Sequence, residues 1–283
     1  MSMTATELAL AAARARRLVL RMMEAGRSGH LGGALSAIDI VTALYFNELD
    51  IDPANPSAPG RDRFVLSAGH KAMAQYAVLA LAGFMPPEVL DTYGSFKSPI
   101  PGHPDMHKLP GIEANTGALG HGLAIACGMA LGARLDQRGS RVFVVMGDGE
   151  LTEGSNWEGA AIAAHHRLDN IVVFVDANGL QISGPTRDVM DMAPIGGKFR
   201  AFGWEVDEID GNDMSQIVEV LARLPLSAGK PSAIVAHTVK AKGISSLEGT
   251  AGSHYWKPTQ DELTAAIQET EARVATLQVE AAR

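Results

Sequence analysis

The sequence has little cysteine, no long apolar run and no excess of basic charge. Cys127 is the only cysteine among 283 residues, which excludes an internal disulfide framework and suits a reducing compartment such as the cytoplasm. The longest uncharged apolar stretch, GLAIACGMALGA, is shorter than the roughly 20 residues that a membrane-spanning helix needs. The first residues also lack the order of a cleavable signal peptide, so we expect a soluble, unexported protein.

Basic residues are in the minority, since 24 Lys and Arg stand against 32 Asp and Glu and the net charge is -8. This balance offers no basic surface to nucleic acid or to an anionic membrane, so neither is an expected partner. Any anionic ligand must therefore be held by local groups. With 46% hydrophobic residues, the chain has enough apolar material for one large domain or two small ones.

Short apolar runs alternate with Ala-rich segments of helical length. The runs are nearly continuous in apolar residues, as in strands that are covered on both faces, and they span 63–68, 141–146, 171–177 and 232–239. The helical segments span 70–82, 116–137, 155–168 and 214–224. This alternation predicts an α/β fold with a doubly wound, mainly parallel sheet and helices on both faces.

Capping-box spacings predict that a helix begins near each end of the chain. Thr4 is followed by Glu7, and Thr259 by Glu262. In the second of these helices, one face carries Leu263, Ile267, Val274 and Leu277. No repeat or linker interrupts the pattern, apart from turn-rich loops at 52–62, 97–115 and 241–258. We therefore predict one domain over 1–283 that ends in a C-terminal helix.

The ends of two predicted strands carry potential metal ligands. Asp148 lies between Gly147 and Gly149 at the end of one run, and Asn178 follows the next run 30 residues later. Ligands of parallel α/β sheets bind at the carboxyl ends of the strands, so these side chains should be neighbours. A carboxylate and a carboxamide suit Mg²⁺ bound together with a phosphorylated ligand, although a Gly-Asp-Gly turn alone is more often only a turn. The spacing of an EF-hand is absent.

Several motifs in this order resemble the transketolase family. The segment GDGELTEGSNWEGAAIAAHHRLDNIVVFVDANGLQISG resembles its thiamine-diphosphate motif. The stretches SGHLGGALSAIDI, RDRFVLSAGHKA, GHP and TGALGHGLAIACGMALG are similar to other parts of the cofactor site. The resemblance covers essentially the whole chain but only the diphosphate-binding half of a full-length transketolase. It implies the thiamine-diphosphate-binding fold of the diphosphate (PP) domain.

The resemblance also implies roles for individual residues. The metal ligands would be Asp148, Asn178 and the backbone carbonyl of Leu180, with Mg²⁺ as the expected ion and Ca²⁺ or Mn²⁺ also acceptable. Catalytic roles would fall to His30, His103 and His254. The thiamine diphosphate would contact His70, Gly117, Leu119, Gly120, Asp148, Gly149, Glu153, Asn178, Ile182 and His254. Glu153 would lie at the subunit interface, and its alternative role is that of an acid at a helix N-terminus.

Some neighbouring residues are less clearly assigned by the motifs. Many family members have the late histidine two residues before the Lys-Pro pair. In this chain that position is Tyr255, and the histidine is one residue earlier, at His254. His103 and His107 have the spacing of a zinc pair, but Pro104 disfavours a regular helix there. His121 is expected to face the cofactor or a neighbouring subunit. We expect surface positions for His165 and His166 and a core position for His237. Lys240 and Lys242 are expected to be solvated loop lysines, with an approach to the diphosphate as the alternative.

By resemblance, the chain is the N-terminal subunit of a split transketolase. It would be inactive alone, because the pyrimidine-binding domain with the activating glutamate and the C-terminal domain are absent and expected on a partner chain. The expected assembly is an α2β2 heterotetramer. The reaction would transfer a two-carbon ketol unit from a ketose phosphate to an aldose phosphate, in pentose-phosphate metabolism or in the catabolism of an unusual sugar.

Two other functions share the cofactor motif. One is the α subunit of a thiamine-dependent 2-oxo acid dehydrogenase, and the other is a cofactor-binding subunit without catalytic activity. The histidine loops SGHLGG and GHP favour sugar hydroxyls over the first alternative. The related 1-deoxyxylulose-phosphate synthase is a single long chain, so the short length counts against it.

Overall fold

Five parallel strands form the centre of the protein in a computed structural model that describes residues 3–283. The strands lie side by side in the order β1-β2-β3-β5-β4. Gly147 pairs with Asp176, and Ala177 pairs with His237, so the carboxyl ends of β2, β3 and β5 lie at one edge. The strands are β1 (Arg63–Leu66), β2 (Val142–Gly147), β3 (Ile171–Ala177), β4 (Glu205–Asp210) and β5 (Ser232–His237).

Helices cover both faces of the sheet, as expected. They are α1 (Ala5–Gly26), α2 (Leu31–Ala43), α3 (Ala72–Leu81), α4 (Gly122–Leu135), α5 (Gly154–His165), α6 (Thr186–Val189), α7 (Ile195–Ala201), α8 (Met214–Leu221) and α9 (Gln260–Ala281). Successive residues of a strand pack in different cores, because their side chains point to opposite faces of the sheet. Phe143 packs with the layer of α1, α2, α3 and α8, whereas Val144 packs with α4, α5 and α7.

Both terminal helices begin as the capping boxes predict. The Thr4 hydroxyl accepts the N–H of Glu7 at 3.2 Å, and the Thr259 hydroxyl accepts that of Glu262 at 3.3 Å. The apolar face of α9 is also confirmed, since Leu263 is buried in the core and Leu277 is buried against α1. The two terminal helices therefore pack against each other.

Some local predictions were wrong. The strand β4 was missed because it lies at the edge of the sheet and is only half-buried, so its sequence EVDEID has no continuous apolar run. The segment SGHLGGALSAIDI contains α2, which is not among the predicted helices, and α4 begins at Gly122 rather than at 116. His237 is not in the core, because its side chain is 62% exposed and pairs with Glu208 at the end of β5.

Candidate functional site

The turn after β2 is joined to the turn after β3 by one carboxylate. Asp148 Oδ1 accepts the N–H of Gly149 at 2.9 Å, and its Oδ2 accepts the N–H of Gly179 at 2.7 Å. The Asn178 Oδ1 accepts the N–H of Leu180 at 3.1 Å. Asp148 is only 6% exposed, so its remaining lone pairs lie in a poorly hydrated site. The predicted ligands are thus brought together at the carboxyl edge of the sheet.

A buried polar network supports this turn from below. Asp176, fully buried at the end of β3, forms an ion pair with Lys71 and accepts a hydrogen bond from Ser36 Oγ at 2.6 Å. Asn178 Nδ2 donates to the same carboxylate at 3.4 Å, and the Thr238 hydroxyl also donates to Asp176. Sequence reasoning missed this network. Its only local signal is the acid within the apolar run IVVFVDA.

Burial and a neighbouring carboxylate make the Asp148 site favourable for a cation. Burial raises the pKa of Asp148 to about 6, and the nearby Asp176 contributes in the same direction. Lys71 and the two backbone N–H groups oppose this rise in the pKa only in part. A divalent ion would supply the charge that offsets the cost of an ionised carboxylate here.

Glu150 connects the Gly-Asp-Gly turn to the loop before α4. Its carboxylate accepts the N–H of Gly120 at 2.9 Å, the N–H of Gly147 at 3.3 Å and the Ser67 hydroxyl. Burial raises the pKa of Glu150, which these hydrogen bonds counteract. Glu150 was not singled out from the sequence, although it directly follows the motif. The two loops are therefore held in one relative position.

Glycine is required at two positions of the loop before α4. Gly117 has a φ of 131° and Gly120 a φ of 84°, both in the region that favours glycine. A Cβ atom at Gly117 would lie 2.5 Å from His103 Cδ2, and one at Gly120 would lie 2.5 Å from the Glu153 Cβ. These close approaches bring the loop, including Leu119, to the wall of the cleft beside Asp148.

Four imidazoles form a cluster beside the Asp148 turn. The centroid of the His30 ring lies 5.6 Å from that of His70, 6.0 Å from that of His103 and 5.4 Å from that of His254. Burial and Lys71 lower the pKa of His70 to about 2, and burial and Lys240 lower the pKa of His254 to about 4. Burial, then His103, lowers the pKa of His30. These three rings are therefore neutral near pH 7 and can both donate and accept hydrogen bonds.

The order of His254 and Tyr255 determines which of them lines the cleft. His254 lies in the cluster, with its Nδ1 3.2 Å from the Nζ of Lys240. Tyr255 lies outside it, edge-on against His30, and its hydroxyl is 3.0 Å from the Ser28 hydroxyl. The structure thus places His254, rather than Tyr255, in the imidazole cluster beside Lys240.

Lys240 is buried, contrary to the solvated position expected from the sequence. It is only 2% exposed, and its Nζ donates to the carbonyl of Leu180 at 3.0 Å. Burial, together with Lys71, lowers the pKa of Lys240 to about 8. Lys242 agrees with the prediction, since its side chain is 40% exposed and pairs with Glu248. The carbonyl predicted to bind metal therefore already accepts one hydrogen bond from a cation.

These groups line a cleft of about 340 Å³ that is suited to an anionic ligand. Gln181 lines it, and its buried Nε2 has no hydrogen-bond partner within residues 3–283. An unpaired buried donor is costly, so an acceptor such as a phosphate oxygen would satisfy it. Ile182, 72% exposed, lies at the rim. The donors and the hard oxygen ligands together match a metal-bound diphosphate.

Other possible sites are less developed. Across residues 3–283, no three His, Cys, Asp or Glu side chains are grouped so that they alone hold a metal ion, and His103 and His107 therefore lack zinc partners. His121, His165 and His166 are exposed. No helix of that part of the chain is long and apolar enough to cross a membrane.

Comparison with known proteins shows the family of the chain. The family model of the transketolase thiamine diphosphate binding domain matches residues 8–273. A protein of Phocaeicola vulgatus, named as one of the subunits of an apulose-4-phosphate transketolase, is 41% identical over 94% of this chain and 94% of its own length. A protein of Clostridium sp. named 6-deoxy-6-sulfo-D-fructose transketolase subunit SqwG is 43% identical over 90% and 93%.

A solved structure gives the same result. The transketolase of Campylobacter jejuni superposes with a TM-score of 0.87 and 30% identity, over 100% of this chain but only 48% of its own. The chain thus spans less than half of that transketolase, whereas it matches nearly all of the two separate subunits. From the motif order, the cleft and these matches, the chain belongs to the transketolase family and is its thiamine-diphosphate-binding domain.

Proposed function

We propose that the chain is the N-terminal, diphosphate-binding subunit of a two-chain transketolase. The observation that carries the proposal is the Asp148 turn with four clustered imidazoles beside it. In addition, the relatives that this chain matches over nearly their whole length are named as separate subunits. The reaction would transfer a two-carbon ketol unit from a ketose to an aldose. The names of those relatives include a sugar phosphate and a sulfonated sugar, so we take a sugar with a terminal anionic group as the substrate class.

The cleft offers a defined set of groups to the cofactor. Asp148, Asn178 and the carbonyl of Leu180 would bind the divalent ion, with Mg²⁺ first and Ca²⁺ or Mn²⁺ as alternatives. The diphosphate would accept hydrogen bonds from His70, His254, Lys240, Gln181 and the N–H of Gly149. The last of these already donates to Asp148, so the diphosphate would share or displace that hydrogen bond. Ile182, Leu119 and Gly117 would line the rings of the cofactor, as would Gly120.

The chain's own part in the chemistry is to bind, orient and exchange protons. Bound thiamine diphosphate would supply the nucleophilic carbon and the electron sink. His30, His103 and His254 would hydrogen-bond the sugar hydroxyls, and a neutral imidazole can take a proton at one nitrogen while the other keeps its hydrogen. The lowered pKa of His30 and of His254 keeps these rings neutral near pH 7.

A second polypeptide would complete the site through one exposed surface. We call it the α4–α5 face and define it by Ala124, Ile125, Gly128, Gly132 and Ile162. Ile125 and Ile162 are 36% and 45% exposed, and a Cβ atom at either glycine would meet no atom within 4 Å. Solved transketolases have another half, and this face adjoins the cleft through the loop before α4. We propose that it binds the chain that carries the pyrimidine-binding domain, in an α2β2 assembly.

The position of Glu153 agrees with this assembly. It precedes α5 and lies against Gly120, at the border between the cleft and the α4–α5 face. There it would approach the activating glutamate of the partner chain. We also propose a cytoplasmic location, because the lone Cys127 is buried and unpaired.

The alternative function, the α subunit of a 2-oxo acid dehydrogenase, is not favoured, because the relatives that match over nearly their full length are named transketolase subunits.

The test of the proposed function is ketol transfer from xylulose 5-phosphate to ribose 5-phosphate with thiamine diphosphate and Mg²⁺. The chain is assayed alone and then mixed with the product of the neighbouring reading frame. We expect activity only in the mixture. Activity of the chain alone would refute the half-site proposal, and a silent complex that binds the cofactor would refute these substrates.

A further inference from the structure

A second cleft opens directly beside the cofactor cleft. Its volume is about 550 Å³, and His30 lines both clefts. The second cleft is also lined by Ser28, Phe96, Lys97, Lys108 and Tyr255, and we call it the lysine cleft. A substrate that contacts His30 therefore has direct access to this space.

The charge of the lysine cleft differs from that of its surroundings. Within residues 3–283, two lysines and no Asp or Glu line it, although the chain has a net charge of -8. Four other clefts of the protein each have at least one Asp or Glu in their walls. The walls of the lysine cleft thus carry a net positive charge, which favours an anionic ligand.

The polar groups of the lysine cleft suit the rest of a sugar. The Tyr255 hydroxyl lies 3.0 Å from the Ser28 hydroxyl, and the tyrosine ring packs edge-on against His30 with 4.9 Å between centroids. Hydroxyls can donate to and accept from a polyol. The Lys97 Nζ lies 5.7 Å from the centroid of the Phe96 ring, and this ring is 92% exposed. The cation–aromatic contact gives the ammonium a weak attraction to the ring at the rim of the cleft.

We infer that the lysine cleft binds the terminal anionic group of the sugar substrate, a phosphate or a sulfonate, through Lys97 and Lys108. This inference rests on the proposed function and extends it, because it assigns substrate recognition to this chain rather than to the partner alone. Lys97 and Lys108 act as specificity residues and take no part in bond breaking.

The first test compares acceptors in the assembled two-chain enzyme. D-Ribose 5-phosphate, its 5-deoxy-5-sulfonate analogue and D-ribose are used with the variants Lys97→Gln, Lys108→Gln and the double variant. We expect kcat/KM for the phosphate acceptor to fall about threefold for each single change and about tenfold for both, as for exposed charge pairs. The value for D-ribose should not change. The matched control is Lys230→Gln, which removes one exposed positive charge paired with Glu205.

The outcomes separate the two levels of the proposal. A parallel loss for phosphate and sulfonate means recognition of terminal charge, and a loss for phosphate alone means recognition of the dianion; both support the inference. An unchanged ratio of phosphate to D-ribose kcat/KM in an active double variant overturns it. Added salt provides an independent test. Because salt screens charges, it should lower the ratio of phosphate to D-ribose kcat/KM more in wild type than in the double variant.

A binding experiment does not depend on turnover. Titration of the full chain with D-ribose 5-phosphate, followed by NMR, should show weaker binding in the double variant than in wild type or Lys230→Gln. Equal binding by all three proteins overturns the inference. If the wild-type complex transfers no ketol unit to any acceptor, the proposed function fails, while this titration still decides the role of the lysines.

Discussion

Asp148 Oδ2 accepts the N–H of Gly179 at 2.7 Å, across 31 residues of sequence. This hydrogen bond joins the turns that follow two adjacent strands, and Asn178 belongs to the second of these turns. The arrangement exists because β2 and β3 are parallel, so that their carboxyl ends are neighbours. The side chain that ends one strand therefore also holds two loops of the cofactor cleft.

We expect Asp148→Asn to impair both the turn and cofactor binding. The carboxamide has one acceptor oxygen, so either the Gly149 or the Gly179 N–H loses its partner, at a cost of about 1–3 kcal/mol in the free energy of unfolding. Calorimetric titration with thiamine diphosphate and Mg²⁺ should show affinity lower by at least about tenfold. Asp213→Asn is the control, because either residue caps α8 well. Equal cofactor affinity in both variants would contradict the assigned role.

Lys240 and Lys242 form a natural pair of test positions. Lys240→Met removes a buried ammonium beside Leu180 and His254, and we expect the affinity for thiamine diphosphate to fall about 10- to 100-fold, as for a charged hydrogen bond. Lys242→Met removes an exposed charge and should change this affinity less than about twofold. Titration of both variants under the same conditions checks the difference. Similar losses in the two would mean that only net charge matters.

His70 should make the protein less stable in acid. Its pKa is about 2 in the folded protein and about 6.5 when unfolded, so below pH 6.5 the unfolded chain binds a proton that the folded chain does not. The free energy of unfolding then falls as the pH decreases, by up to about 1.4 kcal/mol per pH unit for this one group, and the loss is absent above pH 6.5.

Urea unfolding at several pH values between 6.5 and 5 measures this slope. We expect His70→Gln to have a shallower slope than wild type, because glutamine takes up no proton. His107→Gln, at an exposed position, is the control and should keep the wild-type slope. If the slopes of wild type and His70→Gln coincide, His70 is protonated in the folded protein.

Gly128→Gln tests the α4–α5 face. A Cβ atom at Gly128 would meet no atom within 4 Å, and glutamine favours helix over glycine by about 0.5–1 kcal/mol, so the isolated chain should be at least as stable. The added side chain would occupy space that we assign to the partner, and assembly should weaken. Analytical ultracentrifugation of the mixed subunits measures this, with Ala272→Gln on the exposed side of α9 as control. Unimpaired assembly of Gly128→Gln would place the interface elsewhere.

Local sequence patterns predicted the buried strands better than the helices. The apolar runs that form β1, β2, β3 and β5 are nearly continuous, and this pattern is typical of parallel strands that are buried on both faces. The helix α2 was concealed by Gly32 and Gly33, which disfavour helices. A Cβ atom at Gly32 would lie 2.6 Å from the Ser253 hydroxyl, so glycine is there for close packing with a distant segment.

The sequence by itself determined the family, the parallel sheet and the adjacency of Asp148 and Asn178, because these follow from motif order and from residues at strand ends. Only the tertiary structure decided that Lys240 is buried while Lys242 is exposed, and that His254 rather than Tyr255 joins the imidazole cluster. These outcomes depend on contacts such as that of Lys240 with Leu180, 60 residues away. Residue type and local spacing do not predict such distant contacts, because these form only when the separate segments pack together.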